Sequence, residues 1–224
     1  AGLKETIQTI QRNLSPEVAE FLEAGILYTE LSNGKNFGEL LTFSSDFRRR
    51  YPSSSYTGFL NPMIRKAEDY FNKVKVNFTS EQKLIQGYQH IDSFRQLMTP
   101  FLGKVVFIEF WASWCITCKD QFDHENELYQ FLQNKGIEHL YISMDEDKMD
   151  KTWQEMIKYY NLRGSHIRAN TKLIKDLSQI FWQGRRYALP LYVIISRSGY
   201  IVEFDTYRPS EKKRLYDTIE KYVK

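Results

Sequence analysis

Only two cysteines occur in the 224 residues, Cys115 and Cys118, and two residues separate them. Every thiol of the chain is therefore committed to one local pair. A thiolate is the nucleophile of thiol–disulfide exchange, and a second thiol within bonding reach can release the mixed disulfide that results. The pair lies in Phe110-Trp111-Ala112-Ser113-Trp114-Cys115-Ile116-Thr117-Cys118-Lys119, where an apolar strand pattern gives way to a helical one. A helix N-terminus offers unpaired N–H groups and the positive end of the dipole. A thiol there falls below its free pKa of about 8.5. Cys115 is thus the expected nucleophile, and Cys118, one turn inside, the resolving thiol. Two plainer readings compete. A structural zinc site normally takes four ligands, and no second Cys pair exists beside His90, His124, His139 and His166. A purely structural disulfide closing so short a loop restrains little of the unfolded chain.

The elements that must hold this pair read as alternating strands and helices after residue 80. Leu84–Tyr88 reads as a short strand, and Asp92 or Ser93 as the cap of a helix through Phe94, Leu97 and Met98. Lys104–Phe110 reads as a strand buried on both faces, as in the middle of a parallel sheet. One helix is expected from Cys115 to Asn134, stopped by Gly136, and a strand over 137–143. Strand, helix and strand in that order form a right-handed βαβ unit. Helices follow around Trp153–Tyr160 and over 171–183. Leu191–Ser196 and Tyr200–Phe204 flank a hairpin turn at Arg197-Ser198-Gly199. Ser210–Val223 carries Leu215, Ile219 and Val223 on one helical face. Asp145, Glu146 and Asp147 read most simply as helix-start acids before Trp153. The order argues for an α/β fold, a mixed sheet flanked by helices.

Residues 1–80 have a different, helical rhythm. Pro16–Thr29 places Val18, Phe21, Leu22 and Ile26 at helical spacing, and Asn33-Gly34 breaks it. A second run passes through Phe37, Leu40, Leu41 and Phe43. Tyr51-Pro52-Ser53-Ser54-Ser55 reads as a turn, and Pro62 as the start of a further helix to Phe71. Arg48–Arg50 reads as a solvated helix end, where cations suit the dipole. Two parts are expected: a helical N-terminal region, 1–80, and an α/β domain, 81–224.

Bulk composition excludes more than it assigns. A net charge of +3 is too small to argue for a nucleic-acid or anionic-membrane partner. No window reaches the ~18 consecutive apolar residues of a membrane span. Ala1–Asn13 has no apolar core of the signal-peptide type, which leaves the compartment open. Nothing in the sequence calls for a metal, nucleotide or flavin cofactor.

The run Trp111-Ala112-Ser113-Trp114-Cys115-Ile116-Thr117-Cys118 resembles the WAxWCxxC motif of the thioredoxin superfamily, and more specifically its exported TlpA/ResA-like branch. The resemblance covers roughly residues 81–224. It implies a thioredoxin-like fold and thiol–disulfide oxidoreductase activity. Glu109 stands six residues before Cys115, where thioredoxins carry a buried acid that moves protons at the resolving Cys. Burial would raise the pKa of such an acid. Leu189-Pro190 resembles the cis-proline element that faces the redox pair, with the Leu189 backbone offered to an extended substrate. Ser198–Val202 resembles the hairpin after it, and Ser143–Gly164 the central insertion of the branch. Trp114 is expected to shield the pair and pack against a partner, whereas Trp111 is as well explained as core. The helical N-terminal region, with Tyr51-Pro52-Ser53, is similar to those that precede such domains in Gram-negative envelope proteins.

This resemblance implies a reductant of protein disulfides in the periplasm or cell envelope. Protein disulfide substrates and a thiol-donating redox protein would be its partners. Between the cysteines stands Ile116-Thr117 rather than Gly-Pro, and those residues influence potential. Disulfide oxidase or isomerase therefore remains an alternative, as does an interaction module whose CxxC is incidental. A peroxiredoxin is excluded, because no Pro-x-x-x-Thr-x-x-Cys segment exists.

Overall fold

A computed structural model describes residues 2–34 and 37–223; Ala1, Lys35, Asn36 and Lys224 lie outside the described residues. The chain divides into two compact units, Ala1–Val76 and Asn77–Lys224.

Among its described residues the first unit holds four helices: α1 (Leu3–Asn13), α2 (Pro16–Asn33), α3 (Phe37–Arg50) and α4 (Thr57–Lys75). Pro16 occupies the first turn of α2, where its missing N–H costs nothing. Gly34 ends that helix in the left-handed conformation, at φ 68°. Ala24, Leu27 and Leu31 of α2 pack with Leu40 and Phe47 of α3 and with Leu60, Ile64 and Ala67 of α4. The polar segment before Asn13, for which the sequence set no element, is helical. Two sequence expectations change here. Pro62 sits inside α4 instead of opening it. The arginine run does more than suit a dipole: Arg50 reaches the buried carboxylate of Glu23, which also accepts from Gln11 and Tyr51.

The second unit is a six-stranded sheet in the order β1-β4-β3-β2-β5-β6. Its strands are β1 (Gln82–Leu84), β2 (Val106–Trp111), β3 (Glu138–Ser143), β4 (Gly164–Arg168), β5 (Leu191–Ile195) and β6 (Ile201–Phe204). β1, β4, β3 and β2 run parallel; β5 pairs antiparallel with β2, and β6 antiparallel with β5. The sheet is therefore mixed. Every residue of β2 is buried, as its near-continuous apolar run, broken only by Glu109, suits in a strand covered on both faces.

Helices α5 (Phe94–Met98), α6 (Ile116–Gln121), α7 (Glu125–Asn134), α8 (Asp150–Tyr159), α9 (Thr171–Trp182) and α10 (Lys213–Glu220) complete the unit. Two apolar cores lie against the sheet. One gathers Val106, Ile108 and Phe110 with Leu97, Leu173, Leu177 and Phe181. The other gathers Val105 and Phe107 with Leu128 and Leu132 of α7 and Leu215 and Ile219 of α10. Successive side chains of a strand point to opposite faces, so alternate β2 residues feed different layers.

The single helix expected over 115–134 is two, with a 3-10 turn at Phe122–His124 between them. The short strand expected at 84–88 lies at Gln82–Leu84. β4 was not legible as a strand, because Gly164-Ser165-His166-Ile167-Arg168 mixes charge and glycine. Its partners make it: β4 lies between β1 and β3, and Gly164, at φ 148°, lets the backbone pass close to His139.

Candidate active site

Cys115 and Cys118 lie where β2 ends and α6 begins. Cys115 is the N-cap of α6, and its Sγ accepts the Cys118 N–H at 3.1 Å. The two sulfurs are joined in a disulfide, with Cα atoms 5.3 Å apart. Cys118 is fully buried, while Cys115 keeps 5% of its surface exposed. The Cys118 N–H points at the Cys115 sulfur. That is the electropositive setting that favours a thiolate. The helix begins here because an extended residue with a side-chain acceptor closes its first turn, as Ser or Asp does at other N-caps.

The rim around Cys115 is largely apolar. Trp114 is 53% exposed and meets the Tyr187 ring at 6.4 Å between centroids. Trp111 is core, edge-on to Phe122 at 5.3 Å. Leu189-Pro190 is a cis peptide. The Thr117 hydroxyl lies 3.5 Å from Cys115 Sγ and donates to the Leu189 carbonyl at 3.4 Å. A cleft of about 590 Å³ is lined by Trp114, Cys115, Ile116, Thr117, Arg186, Tyr187 and Leu189. Cys115, Trp114 and Leu189 thus share one depression, and Cys118 lies beneath it. Thr117 and Tyr187 join them, although neither has a signal in the sequence beyond nearness to the motif.

Glu109 is fully buried on β2, away from that cleft's lining. Its Oε1 accepts from the Tyr192 hydroxyl at 3.1 Å, its neighbour across the β2–β5 pairing. Desolvation first, then the negative charge of Glu125, pushes the Glu109 pKa well up. Glu125, also buried, is raised to about 7 by desolvation, against the hydrogen bond from the Tyr141 hydroxyl. His139 lies between them, Nε2 3.9 Å from Glu109 and Nδ1 3.8 Å from Glu125. Burial holds it well below the usual imidazole range and so neutral. One ligand atom from each of these three residues falls within 4.8 Å of the others. The two ring nitrogens, however, turn to different carboxylates instead of converging on one point. Glu125, His139 and Tyr141 escape the sequence reading because only the β2–β3 register and the packing of α7 bring them to Glu109.

The acidic run behaves differently from its expected role. Asp145 is buried, precedes α8 by several residues, and anchors the approach to Cys115. Its carboxylate accepts from Ser113 N–H at 2.8 Å, Ser113 Oγ at 2.7 Å and Ser143 Oγ at 2.7 Å. Asp147 and Asp150 instead hold Arg168, at 2.5 and 2.8 Å.

A family model described as thioredoxin-like matches residues 103–201, from just before β2 to the first residue of β6. The thiol-disulfide oxidoreductase ResA of Bacillus thuringiensis subsp. konkukian is 28% identical over 134 residues, 56% of this chain and 72% of that protein. The ResA of Bacillus cereus (strain ATCC 10987) is 30% identical over 107 residues, 47% of this chain and 57% of the relative. A crystal structure of the thioredoxin domain of a thiol-disulfide oxidoreductase from Bacteroides vulgatus overlays with a TM-score of 0.45 at 22% identity, covering 56% of this chain and 83% of that one. The mixed sheet, with a disulfide-forming CxxC at the β2–α6 junction, defines a thioredoxin-fold thiol–disulfide oxidoreductase. The chain resembles the thioredoxin superfamily through this thioredoxin-like segment and is TlpA/ResA-like. The family-model match falls within the second unit. Among the described residues no helix is long and apolar enough to cross a membrane.

Proposed function

We propose that this protein reduces protein disulfides outside the cytoplasm, in the cell envelope, through a transient mixed disulfide at Cys115. The observation that carries the proposal is the Cys115 sulfur at the head of α6, receiving a backbone N–H and opening onto the cleft. The Cys115 thiolate attacks one sulfur of a substrate disulfide, and the other leaves as a thiolate. Cys118 then gives up its proton and attacks Cys115 Sγ. The substrate departs as a dithiol, and the protein is left with the Cys115–Cys118 bond. A thiol-donating protein restores the pair. Trp114 and Tyr187 give the substrate an apolar face, the Leu189 backbone pairs with an extended segment, and Pro190 holds that edge beside the sulfurs. Glu109 accepts the Cys118 proton. The reductive direction and the envelope setting rest on the TlpA/ResA-like kinship, and the Gram-negative setting on the sequence resemblance alone.

The test is trapping with Cys118→Ser. Mixed disulfides through Cys115 should accumulate with envelope proteins and be lost in the Cys115→Ser/Cys118→Ser double variant. Equilibration against glutathione then reads the direction. A potential near thioredoxin's, about −270 mV, supports a reductant, and one near DsbA's, about −120 mV, makes the protein an oxidant. If no adducts form and Cys115→Ser leaves cells unaffected, the unit is a binding module and the cysteines are incidental.

A further inference from the structure

Two carboxylic acids and an imidazole buried side by side between the sheet and α7 are costly unless they do something. Four of their polar atoms have no hydrogen-bond partner: Glu109 Oε2, Glu125 Oε1 and both ring nitrogens of His139. Glu109 on β2 faces Glu125 on α7. Tyr192 of β5 donates to the first acid and Tyr141 of β3 to the second. The hydroxyl donors leave each acid one oxygen for its neighbour. Two like charges this close in an apolar setting cannot both form, so at least one proton stays with the pair. Its titration belongs to both acids together.

Glu125 opens α7, seven residues after Cys118. Trp111 is two residues beyond Glu109 on β2 and therefore on the same face. Its ring packs on Phe122, one helical turn after Cys118. We propose that Glu109 and Glu125 form one proton-sharing acid pair that takes up the proton released by Cys118. Glu125 is then a positioning residue that sets the proton affinity of Glu109, and His139 is the neutral spacer between them. This rests on the exchange reaction proposed above and deepens it. When Cys118 becomes the attacking thiolate, its proton passes to the ionised member of the pair. The proton later returns to a departing substrate thiolate, so no further oxidant or reductant is needed.

The surroundings bear on the same equilibrium. Arg163 acts on Glu125 and favours its ionised form. His166, itself buried and held at about 3, stacks on Tyr141. Tyr216 of α10 feels the Glu125 charge, and Arg208 acts on Tyr192. Burial raises both acids and each acid's charge acts on the other, so as one coupled pair they give up their first proton near neutrality. The pair therefore goes from two protons to one as the pH passes about 7.

The experiment follows the carboxyl stretch of protonated buried acids by infrared difference spectroscopy, pH 5 to 9, on the disulfide form. The wild type should lose one protonated carboxyl near neutrality and hold the second to higher pH. In Glu125→Gln the Glu109 carboxyl should lose its proton at least tenfold more readily than the second proton of the wild type, because the like charge is gone while burial stays. Tyr141→Phe, which keeps the ring packing, should move the neutral step to higher pH, because the donor that favours ionised Glu125 is gone. The rate of Cys118-dependent release of a mixed disulfide should follow both shifts. An unchanged alkaline carboxyl in Glu125→Gln overturns the sharing. Spectra that shift with no change in the pH profile of release overturn its role at Cys118. A stoichiometric divalent cation on the purified protein, lost to EDTA together with the neutral step, would replace the proton by a metal. The spectra require no turnover, so a lack of exchange activity would refute the proposed reaction without touching the acid pair.

Discussion

Removing the Asp145 carboxylate should loosen the redox loop more than any nearby surface change. Asp145→Ala deprives the Ser113 N–H, the Ser113 hydroxyl and the Ser143 hydroxyl of their shared acceptor. All three residues are buried, so water does not replace the lost partner. A buried donor left unsatisfied costs about 1–3 kcal/mol. The two hydroxyls can turn toward other acceptors and the N–H cannot, which puts the loss at about 3–5 kcal/mol. Against a typical stability of about 5–15 kcal/mol, that is a large fraction. For a chain of this size it lowers Tm by about 10 °C, taking 2–4 °C per kcal/mol. Ser113 is two residues before Cys115, so the thiol should also lose its fixed place over the helix N-terminus. The assay is thermal and urea unfolding followed by tryptophan fluorescence, since Trp111, Trp114, Trp153 and Trp182 all belong to the second unit. The pH dependence of Cys115 alkylation in the reduced protein is the companion measurement, and it should move upward. A Tm within 3 °C of wild type, with an unchanged alkylation profile, would refute this view of Asp145.

Other outcomes follow from the same structure. Gly164→Ala should destabilise the second unit by about 1–3 kcal/mol, because a Cβ at φ 148° would stand 2.7 Å from the His139 carbonyl; a neutral urea midpoint would contradict it. Stability of that unit should be flat between about pH 4.5 and 6.5 and fall on both sides. Above its unfolded pKa, Glu125, raised to about 7, loses its contribution as pH rises. Below 6.5, His166, depressed to about 3, loses its contribution as pH falls. Each group changes stability by about 1.4 kcal/mol per pH unit, so the two oppose each other in the plateau. His166→Gln should tilt the plateau, making the protein less stable as pH rises from 4.5 to 6.5; an unaltered profile would count against it. Trp114→Ala should slow reaction with a protein disulfide about tenfold, as loss of an aromatic anchor does, yet change reaction with oxidised glutathione less than threefold. Equal losses on both would make Trp114 a part of the sulfur chemistry instead of a docking surface.

The primary sequence by itself determined the local features. The apolar run of β2, the helical spacing of α9 and the Gly-bearing hairpin turn before β6 are set by residues close in the chain. Cys115 and Cys118 are likewise within one helical turn, so their chemistry could be read from spacing alone. Tertiary structure decided what depends on register and burial. β4 is a strand only because β1 and β3 pair with it, and the 3-10 turn that divides α6 from α7 has no compositional mark. Asp145 looks like a helix-start acid until the end of β3 brings it under Ser113. Glu109 alone is visible as a charge inside an apolar strand. Glu125 and His139 reach it from 16 and 30 residues away, counted from their residue numbers. Desolvation and like-charge repulsion act through space, and no pattern along the chain records which groups will meet.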